Sequence, residues 1–465
     1  MFSTDTYVRR RQILAGRVSN GIILLLGNEE SPMNYSGNVY PFRQDSNFLY
    51  FTGLDAPGLA LVIDLDRDRT ILFGHTADLN DTIWTGPQPS VADRAAASGV
   101  AESRPYDDLP RFLAQATAEA RFIHILPPYR PQNMTRLCTW LNISMRQLRQ
   151  MPSVPLIQAV VAQRSVKEQQ EIEQMEQAMQ VTGAMHRAAM RYARPGIREA
   201  QLAGIVEGIA VGAGGGLAYP VIMTTQGQIL HNHHHHRILQ EGQLVLGDFG
   251  ADTAMHYAGD VTRTFPVSST FTQQQREIYQ AVLEAQETVI GMMQPGVRFL
   301  DLHRAAALLM AKSLRAIGLM KGDMEEATEA GATYLFFPHG LGHMIGLDVH
   351  DMEDLGEQFV GYAGEVERPT EFGPAALRFG RSLQDGFVMT VEPGLYFIPE
   401  LIDQWAAEGK HEAFINYEAL HAYRNFGGVR IEDDVLVTAQ GARILGDPIP
   451  KKIADIEELS GNQAV

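Results

Sequence analysis

Residues 247–267 read GDFGADTAMHYAGDVTRTFPV, and the way this stretch folds decides the rest of the chain. The preceding run QLVLG is apolar and ends on Asp248, so it reads as a buried strand with an acid at its tip. Asp260 then lies across a hairpin, which turns two carboxylates toward one place. Two aspartates beside glycines are, by themselves, ordinary turn residues. Three further stretches change that reading. Residues 339–351, HGLGHMIGLDVHD, carry His339, His343 and His350, while 390–397, TVEPGLYF, and 428–435, GVRIEDDV, carry Glu392 and Glu432.

Each of these acids lies in or next to an apolar, β-rich run, where an ionised carboxylate is expensive unless paired or bound to a cation. Asp248, Asp260, Glu392, Glu432 and one histidine supply four formal negative charges and one neutral donor, which balance two divalent ions. Oxygen donors with a single imidazole favour hard or borderline ions, and Cys138 is the only thiol in the chain. Two such ions, held roughly 3.5–4 Å apart, clamp the oxygens of a hydrolytic transition state. Hydrolysis is therefore the expected chemistry. The expected cofactor is two divalent metal ions, Mn2+ first, with Zn2+, Co2+ or Fe2+ as alternatives.

The order of these acids and histidines, with DVTRTFP, HGLGH, GLDVHD, VEPGLY and RIEDD around them, resembles the pita-bread metallopeptidases, and within them aminopeptidase P and prolidase. The resemblance runs from about Ser165 to Asp447, and a weaker one covers the amino-terminal part through YPFRQDSNFLYFTGL at 40–54. It implies an α/β (α+β) fold, with a small α/β amino-terminal domain followed by a pita-bread catalytic domain of two pseudo-twofold αα/β halves. It also implies cleavage of peptides with proline in second position. Among the imidazoles it selects His343 as the ligand, completing Asp248, Asp260, Glu392 and Glu432. Asp434 lies on the same strand face as Glu432 and is its rival by alternation; the motif places the ligand directly after RI. Twelve positions separate Asp248 from Asp260 where the family more often has eleven, so an extra residue is expected near Met255 and His256, with Asp252 as the fallback ligand.

The resemblance further implies that Glu392 acts as general base and that His231 and His350 act at the substrate. His339 is a candidate for substrate binding, and Arg430 for orienting Glu432 or holding a substrate carboxylate. His231 opens the run HNHHHH; the remaining histidines, 233–236, read as loop residues. Trp84, in the phrase NDTIW, reads as packing.

At 465 residues the chain exceeds one typical core, and a boundary is expected near Ser165, giving domains 1–164 and 165–465. SVKE, Ser165 with Glu168, reads as a capping box opening a helix that runs to Pro195-Gly196. One hundred residues apart, PGIREAQLA (195–203) and PGVRFLDLH (295–303) echo each other, the second after a helix capped by Thr272 and Gln275. Upstream, 4–18 suits a helix, GIILLLGN a strand, ALVIDLDRDRTILFG two strands around an Asp-Arg-Asp turn, and RFIHIL a strand stopped by Pro127 and Pro128. The net charge of −17 offers no basic stripe for nucleic acid. No run of about 18 apolar residues or signal-type segment occurs, so no membrane partner is expected. With one cysteine, a cytoplasmic location is expected.

The partners expected are proline-containing peptides and further copies of the chain, as a homodimer or homotetramer. An aminopeptidase releasing the first residue is the leading reading, and a Xaa-Pro dipeptidase (prolidase) the alternative. A metal-free creatinase-type hydrolase, or an inactive pita-bread module that binds peptides, would be expected to lack ligands that this chain retains.

Overall fold

Ile22–Leu26, apolar at every position, lies inside a five-stranded mixed sheet whose spatial order is Glu102–Pro105, Arg69–Gly74, Leu59–Asp64, Ile22–Leu26, Ile123–His124. The three long strands are antiparallel, with Leu24 opposite Val62 and Leu61 opposite Leu72, and both outer strands add in parallel. Alternate residues Ile22, Leu24, Val62, Ile71 and Phe73 pack on Leu109, Phe112, Leu113 and Leu137. Ile23, Leu25, Leu61 and Leu72 are buried on the other face. Burial on both faces explains why these strands read as continuous apolar runs rather than alternating ones. The turn at Asp66–Asp68 has Asp68 in the left-handed region, φ 46°. The last strand is only Ile123–His124, shorter than the sequence suggests.

The computed structural model describes residues 1–461. It divides into two compact units, Met1–Arg164 with Asp354–Phe359, and Ser165–Glu353 with Val360–Val465. The first holds the sheet above and the helix Thr4–Ala15. No helix among the described residues is long and apolar enough to cross a membrane.

The second unit is built twice from the same plan. Helices Gln169–Tyr192 and Glu199–Gly212 pack together in the first half, and Gln273–Met292 and Phe299–Ala316 do so in the second. Between each pair, the repeated Pro-Gly phrase makes the same turn. Gly196 (φ 95°) donates its N–H to Leu239 O at 2.9 Å, and Gly296 (φ 90°) donates to Leu383 O at 2.9 Å. Only glycine takes such φ values without strain. Arg198 bridges Ile238 and Arg298 bridges Ser382 one step later.

Each half carries a three-stranded antiparallel sheet. One runs Thr262–Pro266, Leu244–Asp248, Ile222–Thr224; the other runs Val388–Val391, Asp433–Thr438, Gly441–Ile444. The antiparallel pair Gly394–Tyr396 with Gly428–Arg430 adds to the second half.

The capping box at Thr272–Gln275 is present in both directions. The one expected at Ser165–Glu168 is not. The helix begins at Gln169, capped by Glu168 with Glu171. Lys167 N–H is drawn to Gly386 O at 2.8 Å, and the Ser165 hydroxyl accepts from Arg381, so tertiary partners take the groups that a Ser165 cap would need.

Candidate metal centre

Asp248 ends its strand opposite Thr262, and Asp260 stands two residues before Thr262 on the returning chain. The intervening loop turns tightly at 253–257: Thr253 N–H bonds Tyr257 O, His256 N–H bonds Thr253 O, and His256 takes φ 65°. Asp252, the fallback ligand, points instead to His256 Nδ1 at 3.2 Å.

The two halves bring their acids together. Ligand atoms of Asp260, His343 and Glu432, all buried, lie within 4.8 Å of one another. His343 Nε2 is 3.5 Å from Asp260 Oδ2 and 3.6 Å from Glu392 Oε1. The Glu392 side chain keeps 18% exposure, against 6% for Asp260, the other acid beside this imidazole. Asp248 joins through Tyr219, whose hydroxyl contacts Asp248 Oδ1 at 2.6 Å and also Asp260 Oδ1. One hydroxyl proton cannot serve two carboxylates, so this spacing requires either an extra proton or a cation.

Electrostatics point the same way. Burial pushes Glu432 well above the usual carboxylate range, and Asp260, Glu392 and Asp248 push it further. Burial also carries Glu392 up to about 7, with His343 and Arg430 pulling it down. Asp248 is raised by burial against the pull of Arg430. Asp260 is held below its usual value: burial acts upward, but His343 and the Tyr219 hydroxyl bond outweigh it. Arg430 offsets one of the four carboxylates, leaving a buried excess of negative charge that fits divalent cations. The donor set, oxygen-rich with one imidazole, fits hard or borderline ions.

Arg430 is 4% exposed and is not a solvent-facing residue. Its Nη2 bonds Asp248 Oδ2, its Nη1 bonds the Tyr396 hydroxyl at 2.8 Å, and its Nε bonds Thr262 Oγ1 at 3.1 Å. Thr262 Oγ1 in turn donates to Glu432 Oε2 at 2.7 Å. The salt bridge expected between Arg430 and Glu432 is thus replaced by a relay through Thr262, and these donors point at protein acceptors rather than at a substrate carboxylate.

His339 also departs from expectation. Its Nδ1 faces Gly340 O at 2.8 Å, an acceptor, so Nδ1 carries the proton. Nε2 then accepts from the Tyr396 hydroxyl at 2.8 Å. Both nitrogens are engaged internally, and the Nδ1 side also lies 3.7 Å from Glu392 Oε2. Its nitrogens are engaged by Gly340 and Tyr396 rather than left open toward a substrate.

His350 packs its ring 4.4 Å from that of His343, with Nδ1 bonded to Glu353 Oε2 at 2.8 Å. Burial and the neighbouring His343 lower it to about 4, so at neutral pH the ring is uncharged with its proton on Nδ1. Nε2 is then an acceptor.

His231 feels Arg430, Asp248, His233 and Arg378, with burial first among the causes that lower its pKa. Asp434, the rival of Glu432, turns its Oδ2 to the Asp260 backbone N–H at 3.0 Å. Asp433 faces the other way, to Arg263, Lys451 and Gln286.

Three participants escape sequence reasoning. Tyr219 and Thr262 contact the acids, and Tyr396 links Arg430 to His339; no local pattern around them signals it. In the amino-terminal unit Asp45 caps the helix Ser46–Thr52 by accepting from Phe48 N–H at 2.8 Å, which accounts for the RQDSNF phrase. Trp84, expected to pack, is 79% exposed on the helix Leu79–Thr85, where Leu79 and Ile83 are exposed as well.

Residues 173–439 match the model of Metallopeptidase family M24, and residues 7–125 match that of the Aminopeptidase P, N-terminal domain. The chain is 31% identical over 449 residues to the Xaa-Pro dipeptidase of Homo sapiens, covering 94% of this chain and 88% of that protein. It is 32% identical over 475 residues to the Xaa-Pro aminopeptidase of Escherichia coli K12, covering 98% of each. The solved structure of Pseudomonas aeruginosa aminopeptidase PepP superposes with a TM-score of 0.82 at 28% identity, over 99% of both chains.

Proposed function

Because the chain belongs to Metallopeptidase family M24 and carries an aminopeptidase P amino-terminal domain, we propose that it is a di-metal exopeptidase that releases the first residue from peptides with proline in second position. The carrying observation is the buried set of Asp248, Asp260, Glu432 and His343, with Glu392 half-buried beside it, in which two carboxylates crowd one Tyr219 hydroxyl. Those five residues would hold two divalent ions, with manganese first in line. Bound there, the ions would supply Lewis acidity toward a peptide carbonyl and lower the pKa of a water.

The chain's own groups supply the rest. Glu392, partly exposed beside His343, takes a proton from the attacking water and returns it to the leaving prolyl nitrogen. His339 flanks that carboxyl group at 3.7 Å, and Arg430 holds Asp248 and, through Thr262, Glu432. His231 and the acceptor nitrogen of His350 contact the substrate's polar groups on either side of the scissile bond.

The dipeptidase alternative rests on one side chain, Arg378. A dipeptidase must capture the free carboxylate of proline. Of three arginines available for that task, Arg381 is buried over Phe379 and Phe387, and Arg430 is committed to Asp248. Arg378 is about one-third exposed, pairs with Glu353, and reaches His231 and His350 with its field. Turnover of a matched Xaa-Pro dipeptide and Xaa-Pro-Xaa tripeptide by the manganese-loaded protein separates the two readings.

We place the protein in the cytoplasm, on the support of its single unpaired Cys138. A homodimer or homotetramer is supported by the exposed apolar trio Leu79, Ile83 and Trp84, a surface that monomers rarely leave uncovered.

A further inference from the structure

The run 231–236 has a second feature beyond His231. His234 and His236 present their rings with centroids 6.4 Å apart and planes inclined by 57°. In an extended segment, residues two apart share a face, so the pairing follows from the backbone. That backbone is fixed on both sides of the pair. Asn232 is buried, bonds Thr224 Oγ1 at 2.9 Å, and accepts the His234 N–H at 3.1 Å. His235 turns the opposite way, to Val221 O at 3.0 Å, and its own carbonyl accepts Ala200 N–H at 3.1 Å. The His236 carbonyl accepts from Arg198 Nη1 at 3.3 Å.

Geometry then sets what could join the two rings. A transition ion binds imidazole nitrogen at about 2.0–2.1 Å, placing each ring centroid about 3.2 Å from the ion. Two such rings lie about 5.2 Å apart around a tetrahedral ion and about 6.4 Å apart around a linear one. The observed separation is at the wide end of that range, and rotation of exposed side chains closes the difference. Both rings are exposed, so bringing an ion there requires little desolvation.

We propose that His234 and His236 form a peripheral transition-metal site, separate from the catalytic carboxylates and selective for a different class of ion. A pair of neutral imidazoles completed by water suits Zn2+, Ni2+ or Cu2+ and gives little to Mn2+, Mg2+ or Ca2+. The two sites therefore sort ions by hardness: oxygen-rich at the centre, nitrogen-only on the loop.

The test uses the untagged, manganese-loaded protein on immobilised nickel, with Cu2+ titration followed by electron paramagnetic resonance. The expected result is retention that imidazole elutes, and a Cu2+ signal with nitrogen coupling. In His234→Ala/His236→Ala, retention is lost and the apparent Kd for Cu2+ weakens at least about tenfold, with peptidase turnover and melting temperature unchanged. A His233→Ala control is expected to bind as the parent does. Equal retention and Cu2+ affinity in the double variant, or loss only with His233→Ala, overturns the assignment.

Discussion

Arg430, on the second half of the catalytic unit, donates its guanidinium to Asp248, on the first half, and so joins the two halves directly. The same side chain reaches Tyr396 and, by way of Thr262, Glu432. Removing one partner of a buried pair strands the other charge, at a cost of about 3–5 kcal/mol. Arg430→Met is expected to lower stability by that order and to reduce turnover. Arg430→Lys keeps the charge but cannot span Asp248, Tyr396 and Thr262 at once, so turnover falls by at least about tenfold while most of the stability returns. Denaturant unfolding and steady-state kinetics on both variants check this; a lysine variant with parental kinetics would show that the fork is dispensable.

The histidine run is expected to be unequal in catalysis. His231 lies within the fields of Asp248 and Arg430, whereas His235 is spent on Val221 O. His231→Ala should lower kcat strongly with little change in metal content, and His234→Ala and His235→Ala should leave kcat near parental. Similar losses in all three variants would mean that His231 has no special place.

His303 is fully buried between Tyr334 and Phe337, stacked on Tyr334 at 5.8 Å, and neither ring nitrogen has a partner in the structure. Burial lowers it to about 3, and His186 likewise. An unfolded histidine binds its proton near 6.5. Between those values the unfolded chain binds more protons than the folded one, so stability is fully present above about pH 6.5 and declines as pH falls toward 3. His303→Phe removes one such group. The stability lost between about pH 7.5 and pH 5 should shrink by roughly 2 kcal/mol, read from urea unfolding at both values. An unchanged pH dependence would place His303 outside the titrating core.

Much of this centre is legible in local sequence because its donors sit at strand ends and turns that announce themselves: QLVLGD before Asp248, the Pro-Gly after Glu392, the alternating strand that turns Glu432 and Asp433 apart. The amino-terminal strands are legible for the same reason, since their apolar runs have strand length. What escapes is set by long-range partners. Tyr219 lies 29 and 41 positions from the acids it contacts, inside an unremarkable AYPV phrase. Ser165–Glu168 has the form of a capping box, yet Gly386 and Arg381 claim its groups. The direction of Arg430 toward Asp248 is a choice between neighbours that alternation alone does not make.

Substrate length is the point on which the two sets of relatives differ. With Arg381 and Arg430 committed inside the protein, Xaa-Pro-Xaa tripeptides are expected to be cleaved with higher kcat/KM than Xaa-Pro dipeptides. Peptides lacking proline in second position should be poor substrates, and an acetylated amino terminus should block cleavage. Good turnover of dipeptides with none of tripeptides would make the enzyme a dipeptidase and assign the carboxylate contact to Arg378; the metal centre would stand unchanged.

The account turns on the buried acids forming a two-ion catalytic centre, and Glu432 tests this most directly because three other carboxylates push against it. The measurement is metal content per chain alongside turnover, for the parent and for Glu432→Ala, after manganese loading and desalting. The expected result is about two ions in the parent, one or none in the variant, and activity reduced by at least about a hundredfold with the fold retained. Full metal occupancy with near-parental turnover in Glu432→Ala would contradict it.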